Sequence, residues 1–289
     1  MWHKFILNNS VAFKFVRYDT IFQFLYSKLN VGIIFKNPTF HFMLDIKDEL
    51  KSIPKFDLKG FKKDHYNERG GYGEVYLAKK KRELIAIKQI FPPKNVDNDS
   101  MTQSIINEIN NLSKCSSFNK LIIKFLGISF SDLDGNSTDY PLIILDYANN
   151  GSLSSFLRKS KEKNIKLSNS TKMIFLYGIA KAMESIHFLH IAHRDLKPAN
   201  VLLNNNLYPL LADLGLSKEL DIVSNNSSSI VGTLDYESPE IINGTIKNNE
   251  CFCADVFSYS YIMYYIISGK EPYEDDKKKY KKGLPYNFY

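Results

Sequence analysis

Cysteine is scarce in this chain: three among 289 residues, at positions 115, 251 and 253. An odd number, two of them spaced Cys-Phe-Cys, supplies neither a disulfide framework nor the spacing of a zinc knuckle, so a reduced, cytoplasmic setting is expected. No apolar run approaches the roughly 18 residues that a membrane helix needs. The first apolar stretch is broken by Asn8, Asn9 and Ser10, where a secretory signal would continue. Neither a membrane span nor a signal peptide is expected. Arginine is short as well: of 38 basic residues only five are Arg, so the net charge of +7 is carried by Lys. A surface that reads nucleic-acid phosphates leans on the Arg fork. No nucleic-acid partner is expected, and the five Lys within 277–282 read as a solvated tail.

What is present is ordinary for a folded chain. Hydrophobic residues make up 44% and charged residues 24%, which excludes disorder, collagen and disulfide miniproteins. Residues 1–55 are aromatic-rich without a period and end at the breaker Pro54; they form an N-terminal extension of unassigned role. From Phe56 the pattern changes to short strand-like runs, FDLKGFKKD, then 74–79 and 84–90, which predict an antiparallel sheet. A helix is predicted over 100–114, with Ile105, Ile109 and Leu112 on one face. Two further strands are predicted at 122–129 and 141–147, separated by a polar turn over 132–140. After Gly151 the spacing turns helical, first at 152–160 and then over 170–190. A β-rich first half and a helical second half predict an α+β fold with two unequal lobes.

Gly70, Gly71 and Gly73 lie between two strand-like runs, where glycine lets the backbone approach a ligand. A dinucleotide fingerprint would need these glycines to open a helix, and a P-loop would need Gly-Lys-Ser/Thr; neither pattern is present. A hairpin lid over phosphates remains, and it predicts a cation on the next strand. Lys88 stands there, 15 residues after Gly73, within the apolar run Ile85-Ala86-Ile87. A Lys on such a strand needs a carboxylate, and Glu108 on the following helix is the candidate. His187, His190 and His193 offer a rival metal-binding reading, the first two at helical spacing.

The densest motif is His193-Arg194-Asp195-Leu196-Lys197-Pro198-Ala199-Asn200, followed by Val201-Leu202-Leu203 and then Ala212-Asp213-Leu214-Gly215. This run resembles the catalytic loop and metal motif of the eukaryotic protein kinases. The resemblance covers about 56–275 and implies a two-lobed fold: a small antiparallel β lobe with one helix, about 56–146, and a mainly helical large lobe, about 149–289. It implies ATP and Mg²⁺ as cofactors and protein substrates with Ser/Thr acceptors. Lys88, paired to Glu108, would hold the α/β-phosphates. Asp195 would orient the substrate hydroxyl, Lys197 would neutralise the transferred phosphoryl, and Asn200 and Asp213 would bind the metal. Val75, Ala86 and Leu202 would sandwich adenine, with Leu145 before a hinge of Asp146, Tyr147 and Ala148. Lys197, two residues after Asp195, resembles the serine/threonine pattern, and NNGSLSSFL and GYGEVYLA resemble the tyrosine-kinase-like group. Arg194 implies control by phosphorylation; Ser227, Ser228 and Ser229 are candidate acceptors, and Thr233 matches a substrate-positioning Thr.

Several residues depart from the family pattern. Glu68 replaces the first lid glycine, which is expected to weaken ATP binding. Leu214 and Ser238 are mild replacements. After Asp255 only 34 residues follow, where the family has about three more helices, so the large lobe is expected to lack its last helices. No Arg lies downstream to meet Glu240, and a carboxylate left unpaired in a core costs about 3–5 kcal/mol. The expected function is therefore a protein serine/threonine kinase in signalling. The alternatives are a weak or inactive pseudokinase serving as a scaffold, or a truncated product that does not fold.

Overall fold

Alternating apolar residues build the first half of the chain into a sheet. A computed structural model of the protein describes residues 49–70, 73–91, 98–215, 217–219, 234–243 and 251–272. Strands β1 (Lys62–Gly70), β2 (Gly73–Lys80) and β3 (Glu83–Ile90) run as successive antiparallel hairpins. Helix α1 (Asn98–Phe118) follows, then β4 (Phe125–Ser131) and β5 (Ser137–Asp146). The five-stranded order is β1-β2-β3-β5-β4, because β5 inserts beside β3.

The two-residue period of a strand sorts the side chains. Tyr76, Ala78, Ile85, Ile87, Leu142 and Ile144 form one face with Leu58 and Phe61. Ile90, Ile143 and Leu145 lie on the other face, in the main core with Ile105, Ile106, Ile109 and Leu112 of α1. The helix thus covers one side of the sheet. Leu50 and Ile53 are buried in the same core, and Pro54 O accepts a hydrogen bond from Ile128 N at 2.9 Å, so the folded body reaches back before Phe56.

Three local expectations shift. The run FDLKGFKKD is not one strand: Gly60 sits at φ +86°, turning the chain so that Leu58 and Phe61 pack onto the sheet before β1 begins at Lys62. Ile122 makes only an isolated bridge to Leu211, and β4 starts at Phe125. The polar turn is shorter than expected, because the Asp132 carboxylate accepts hydrogen bonds from Asp134 N, Asn136 N and Asn136 Nδ2, closing the loop by Ser137.

The second half is mainly helical. α2 (Leu153–Glu162) and α3 (Asn169–Phe188) begin at Ser152 and Ser168, whose side chains accept from Ser155 N and Thr171 N. Short strands β6 (Ile191–Ala192), β7 (Val201–Leu203), β8 (Pro209–Leu211) and β9 (Lys218–Glu219) pair as β6-β9 and β7-β8. A one-turn helix α4 (Pro239–Ile242) and the long α5 (Cys251–Ser268) complete the described residues. Phe175, Ile179, Met183 and Ile186 of α3 share a core with Leu203, Leu211, Ile262 and Ile266. The fold is α+β, as expected. Glu240, expected to be a costly buried orphan, is only partly buried, so the penalty for a carboxylate sealed in a core does not arise. Among the described residues no helix is long and apolar enough to cross a membrane.

One packing contact is tight enough to test. Gly178 of α3 lies against the Pro209 ring, and a Cβ there would sit 2.4 Å from Pro209 Cγ and 2.9 Å from Cδ. On an exposed helix Ala is favoured over Gly by about 1 kcal/mol, whereas overpacking costs about 1–3 kcal/mol. The ring is rigid, so Gly178→Ala is expected to lower the urea midpoint at unchanged slope, the reverse of a propensity effect.

Candidate active site

Register places the first cluster. Lys88 stands opposite Val75 on β2 and Ile143 on β5, while Ala86 stands opposite Leu77 and Leu145. All of them share the sheet face that looks toward α1. An ammonium on such a face loses hydration, and only carboxylates can offset the loss. Lys88 Nζ lies 2.6 Å from Glu108 Oε1 and 2.9 Å from Asp213 Oδ1. Burial alone would lower the Lys88 pKa, yet the two carboxylates outweigh it and hold the ammonium above the ordinary lysine range. Burial pushes Glu108 up, further than Lys88 draws it down, and the Asp213 charge adds to the rise. For Asp213 burial acts upward too, but Lys88 prevails and holds its carboxyl below the usual range. The difference follows from the neighbouring charges: His193 and Lys197 add to the lowering at Asp213, whereas Glu108 has Lys88 alone and the Asp213 charge against it. One cation between two carboxylates leaves this cluster with negative charge in excess. Gly215 closes it, since a Cβ there would lie 3.1 Å from Glu108 Oε2.

The second cluster is the loop 193–200, which a single buried side chain holds from behind. Asp255 on α5 is 1% exposed; its Oδ2 accepts from His193 N at 2.8 Å and its Oδ1 from Arg194 N at 2.9 Å. His187 Nε2 meets the same Oδ2 at 2.8 Å. Burial would raise the Asp255 pKa, but the His187 hydrogen bond and charge, with the backbone donors, hold it below the ordinary range. The clamp lets Arg194 keep φ +67°, a left-handed conformation that costs a non-glycine residue energy. Asp195, 7% exposed, receives Lys197 Nζ at 2.6 Å and Asn200 Nδ2 at 2.9 Å, both on Oδ2. Asn200 Nδ2 also donates to Asp195 O at 2.8 Å. With both contacts made through its NH₂, the amide of Asn200 keeps its oxygen as an acceptor.

The clusters are joined. Ala212 N donates to Asn200 O at 2.9 Å, and the fully buried His193 has Nε2 3.1 Å from Ala212 O. Asp195 N lies 3.3 Å from His193 Nδ1, which makes Nδ1 the acceptor and Nε2–H the donor. Asp213, next in line, takes φ +60° and feels the charge of Lys197 as well as Lys88. Asn200 and Asp213 therefore offer an amide oxygen and a carboxylate in one neighbourhood. Among the described residues no three His, Cys, Asp or Glu side chains gather to hold a metal alone. Two hard oxygen donors suit Mg²⁺, which keeps waters and substrate phosphates in its shell.

Apolar residues continue the sheet face that carries Lys88. Val75 and Ala86 are partly buried, and Leu145 and Ala148 are buried. Leu202 is partly open between fully buried Val201 and Leu203 and packs at the edge of the main core. Asp146 N donates to Lys124 O at 2.9 Å, fixing the start of the segment 146–148. Gly70 pairs with Gly73 at the end of the β1–β2 hairpin, and a Cβ on Gly73 would stand 2.3 Å from Gln89 O. Gly71, Ser227, Ser228, Ser229 and Thr233 lie outside the described residues, as does the extension before residue 49.

A family model described as the protein kinase domain matches residues 68–286. The chain belongs to the protein kinase family. A domain of this family uses ATP and acts on proteins, which accounts for a site that brings a cation, carboxylates and apolar side chains together. The rival metal reading of the histidines fails on their use in this kinase fold: His187 is spent on Asp255 and His193 on Ala212. The run from Asp255 to Tyr259 resembles the helix that anchors the large lobe, but the clamp itself goes unread, since the partners of Asp255 lie more than 60 residues earlier. Glu237 also went unread; its signal is an acidic residue just before Ser-Pro-Glu, and it proves to be 6% exposed.

The clamp has a pH signature. Asp255 ionises below its ordinary value in the fold, so its charged form favours the folded state. That contribution is complete above the unfolded value of about 3.9 and is lost as pH falls through the lower folded value. Asp255→Asn is expected to cost about 3 kcal/mol or more at pH 7. Denaturation of both proteins at pH 7, 5 and 3 should show the gap holding to about pH 4 and shrinking below it.

Proposed function

We propose that this chain is a protein serine/threonine kinase, transferring the γ-phosphoryl of ATP to Ser or Thr hydroxyls of proteins. The supporting observation is the meeting of Lys88, Glu108 and Asp213, from a strand, a helix and a loop, in electrostatic reach of Lys197. Phosphoryl transfer asks a protein mainly for positioning and charge. On this reading Lys88 binds the α/β-phosphates and Glu108 holds Lys88 in place. Asp195 orients the acceptor hydroxyl and takes its proton as the oxygen attacks phosphorus, while Lys197 offsets charge on the moving phosphoryl. Asn200 and Asp213 would hold Mg²⁺, which supplies positive charge against the phosphates. Val75 and Ala86 cover adenine, Leu202 lies beneath it, Leu145 closes the back, and the backbone of 146–148 meets its edge.

The Ser/Thr assignment draws on Lys197 following Asp195 by two residues, and the same resemblance favours the tyrosine-kinase-like group. Arg194 beside Asp195 supports control by a phosphate on the following loop, with Ser227, Ser228, Ser229 and Thr233 as acceptors. A cytoplasmic place in signalling completes the proposal.

Two measurements test it. Mg-ATP at about 100 times its dissociation constant should stabilise the fold by roughly 2.7 kcal/mol, and Lys88→Met and Asp213→Ala should abolish that shift. Transfer to a protein substrate should fall by about 10²- to 10⁴-fold in Asp195→Asn, with phosphoserine or phosphothreonine as product. A wild-type chain that binds Mg-ATP but transfers no more than Asp195→Asn would be a scaffold, and the kinase reading would be withdrawn.

A further inference from the structure

Helix α1 meets the loop that carries Asp213 at two points one turn apart. Glu108 is the first, beside Lys88 and against Gly215. Three residues on, and so on the same helix face, Asn111 is 4% exposed, and its Nδ2 donates to Ser217 Oγ at 3.0 Å. Among the described residues of α1 these two are the buried polar side chains. The Ser217 hydroxyl in turn donates to Leu214 O at 2.5 Å, and Ser217 N donates to the same oxygen at 3.1 Å. A hydroxyl has one proton, and Leu214 O takes it. Ser217 Oγ therefore accepts from Asn111, which fixes the amide with its NH₂ toward the loop.

We propose that Asn111 is a positioning residue for Asp213: through the Ser217 hydroxyl it holds Leu214, so that Asp213 keeps the left-handed conformation in which its carboxylate meets Lys88. Asp213 stands at φ +60°, which costs a non-glycine residue energy and persists only where the neighbours are fixed. On one side Ala212 N is bonded to Asn200 O at 2.9 Å. On the other, Leu214 is fully buried in the main core, but apolar burial has no direction. The two bonds from Ser217 to Leu214 O supply the direction, and Asn111 ties Ser217 to the helix that also carries Glu108. One helix face thus sets both carboxylates around Lys88, Glu108 directly and Asp213 through the relay. The use of Asp213 for Mg²⁺ rests on the kinase reading, whereas the hold itself does not.

Urea denaturation of the full chain tests the hold without nucleotide. Asn111→Leu keeps a similar volume and loses the donor, and Ser217→Ala breaks the relay at its other end. Asp213→Ala made in either background should shift the midpoint by about half or less of its shift in the wild type, because the carboxylate is no longer held at Lys88. Hydrogen exchange at the amide of residue 217 should accelerate by about fivefold or more in both variants and stay slow in Ser217→Thr, which keeps the hydroxyl. Calorimetry tests the link to the kinase reading: the Mg²⁺ concentration at half-maximal ATP binding should rise about five- to tenfold in both variants, the worth of one hydrogen bond, and return toward the wild-type value in Ser217→Thr. Should Asn111→Leu not fold, Ser217→Ala carries all three measurements. Additive shifts with Asp213→Ala, or unchanged exchange at residue 217, overturn the proposal. So does a lowered midpoint with the Mg²⁺ requirement unmoved, which is what a merely structural bond gives. If the wild type binds no Mg-ATP the kinase reading falls, and additivity and exchange alone decide the hold.

Discussion

A buried ammonium cannot be left alone, and Lys88 takes its partners from parts of the chain 20 and 125 residues away. That requirement ties strand β3 to helix α1 and to the loop that carries Asp213. If α1 swung away, Lys88 would keep one carboxylate where it now has two, and Glu108 would face an apolar core without its cation. The cost of either event is several kcal/mol, a large share of an ordinary domain's stability. The small lobe and the loop of the large lobe are therefore coupled by charge, while the apolar core beneath α1 supplies the bulk of the cohesion.

Asp255 does comparable work one layer below. A loop that must present Asp195, Lys197 and Asn200 together cannot rely on regular hydrogen bonding, and its Arg194 is held in a left-handed conformation. Two backbone donors converging on one carboxylate replace the missing ladder, and His187 holds that carboxylate from the other side. The loop is rigid because a long helix carries its anchor. This arrangement places the polar site on a scaffold of α3 and α5, whose core-facing residues, among them Phe175, Ile179, Ile262 and Ile266, are packed together.

Much of this was legible in the sequence, for a physical reason. Lys88 stands out because an apolar strand advertises any charge on it, and the spacing of Ile105, Ile109 and Leu112 turned the helix that offers Glu108. The loop 193–200 was readable as a string because its chemistry is local. What stayed hidden depends on distance or on exposure. Gly60 ends a strand-like run with one positive φ, which hydrophobic pattern alone does not register. Glu240 was expected to be a buried orphan, but the burial of one side of a short helix is set by packing and not by composition. The clamping role of Asp255 emerges only when segments far apart in the chain meet.

The balance of charge in the cleft argues for what the site must receive. Lys88 and Lys197 stand against Glu108, Asp195 and Asp213, two cations facing three carboxylates. A triphosphate entering such a site meets net repulsion, even though one ammonium awaits it. The carboxylate that can answer is Asp213, half open while Glu108 is sealed, and its neighbour Asn200 retains an amide oxygen. On the proposed kinase reading, Asn200 and Asp213 would hold a divalent cation whose charge would offset that repulsion. On the same reading the excess negative charge would be no defect, since it would make nucleotide binding depend on the metal that brings the compensating charge.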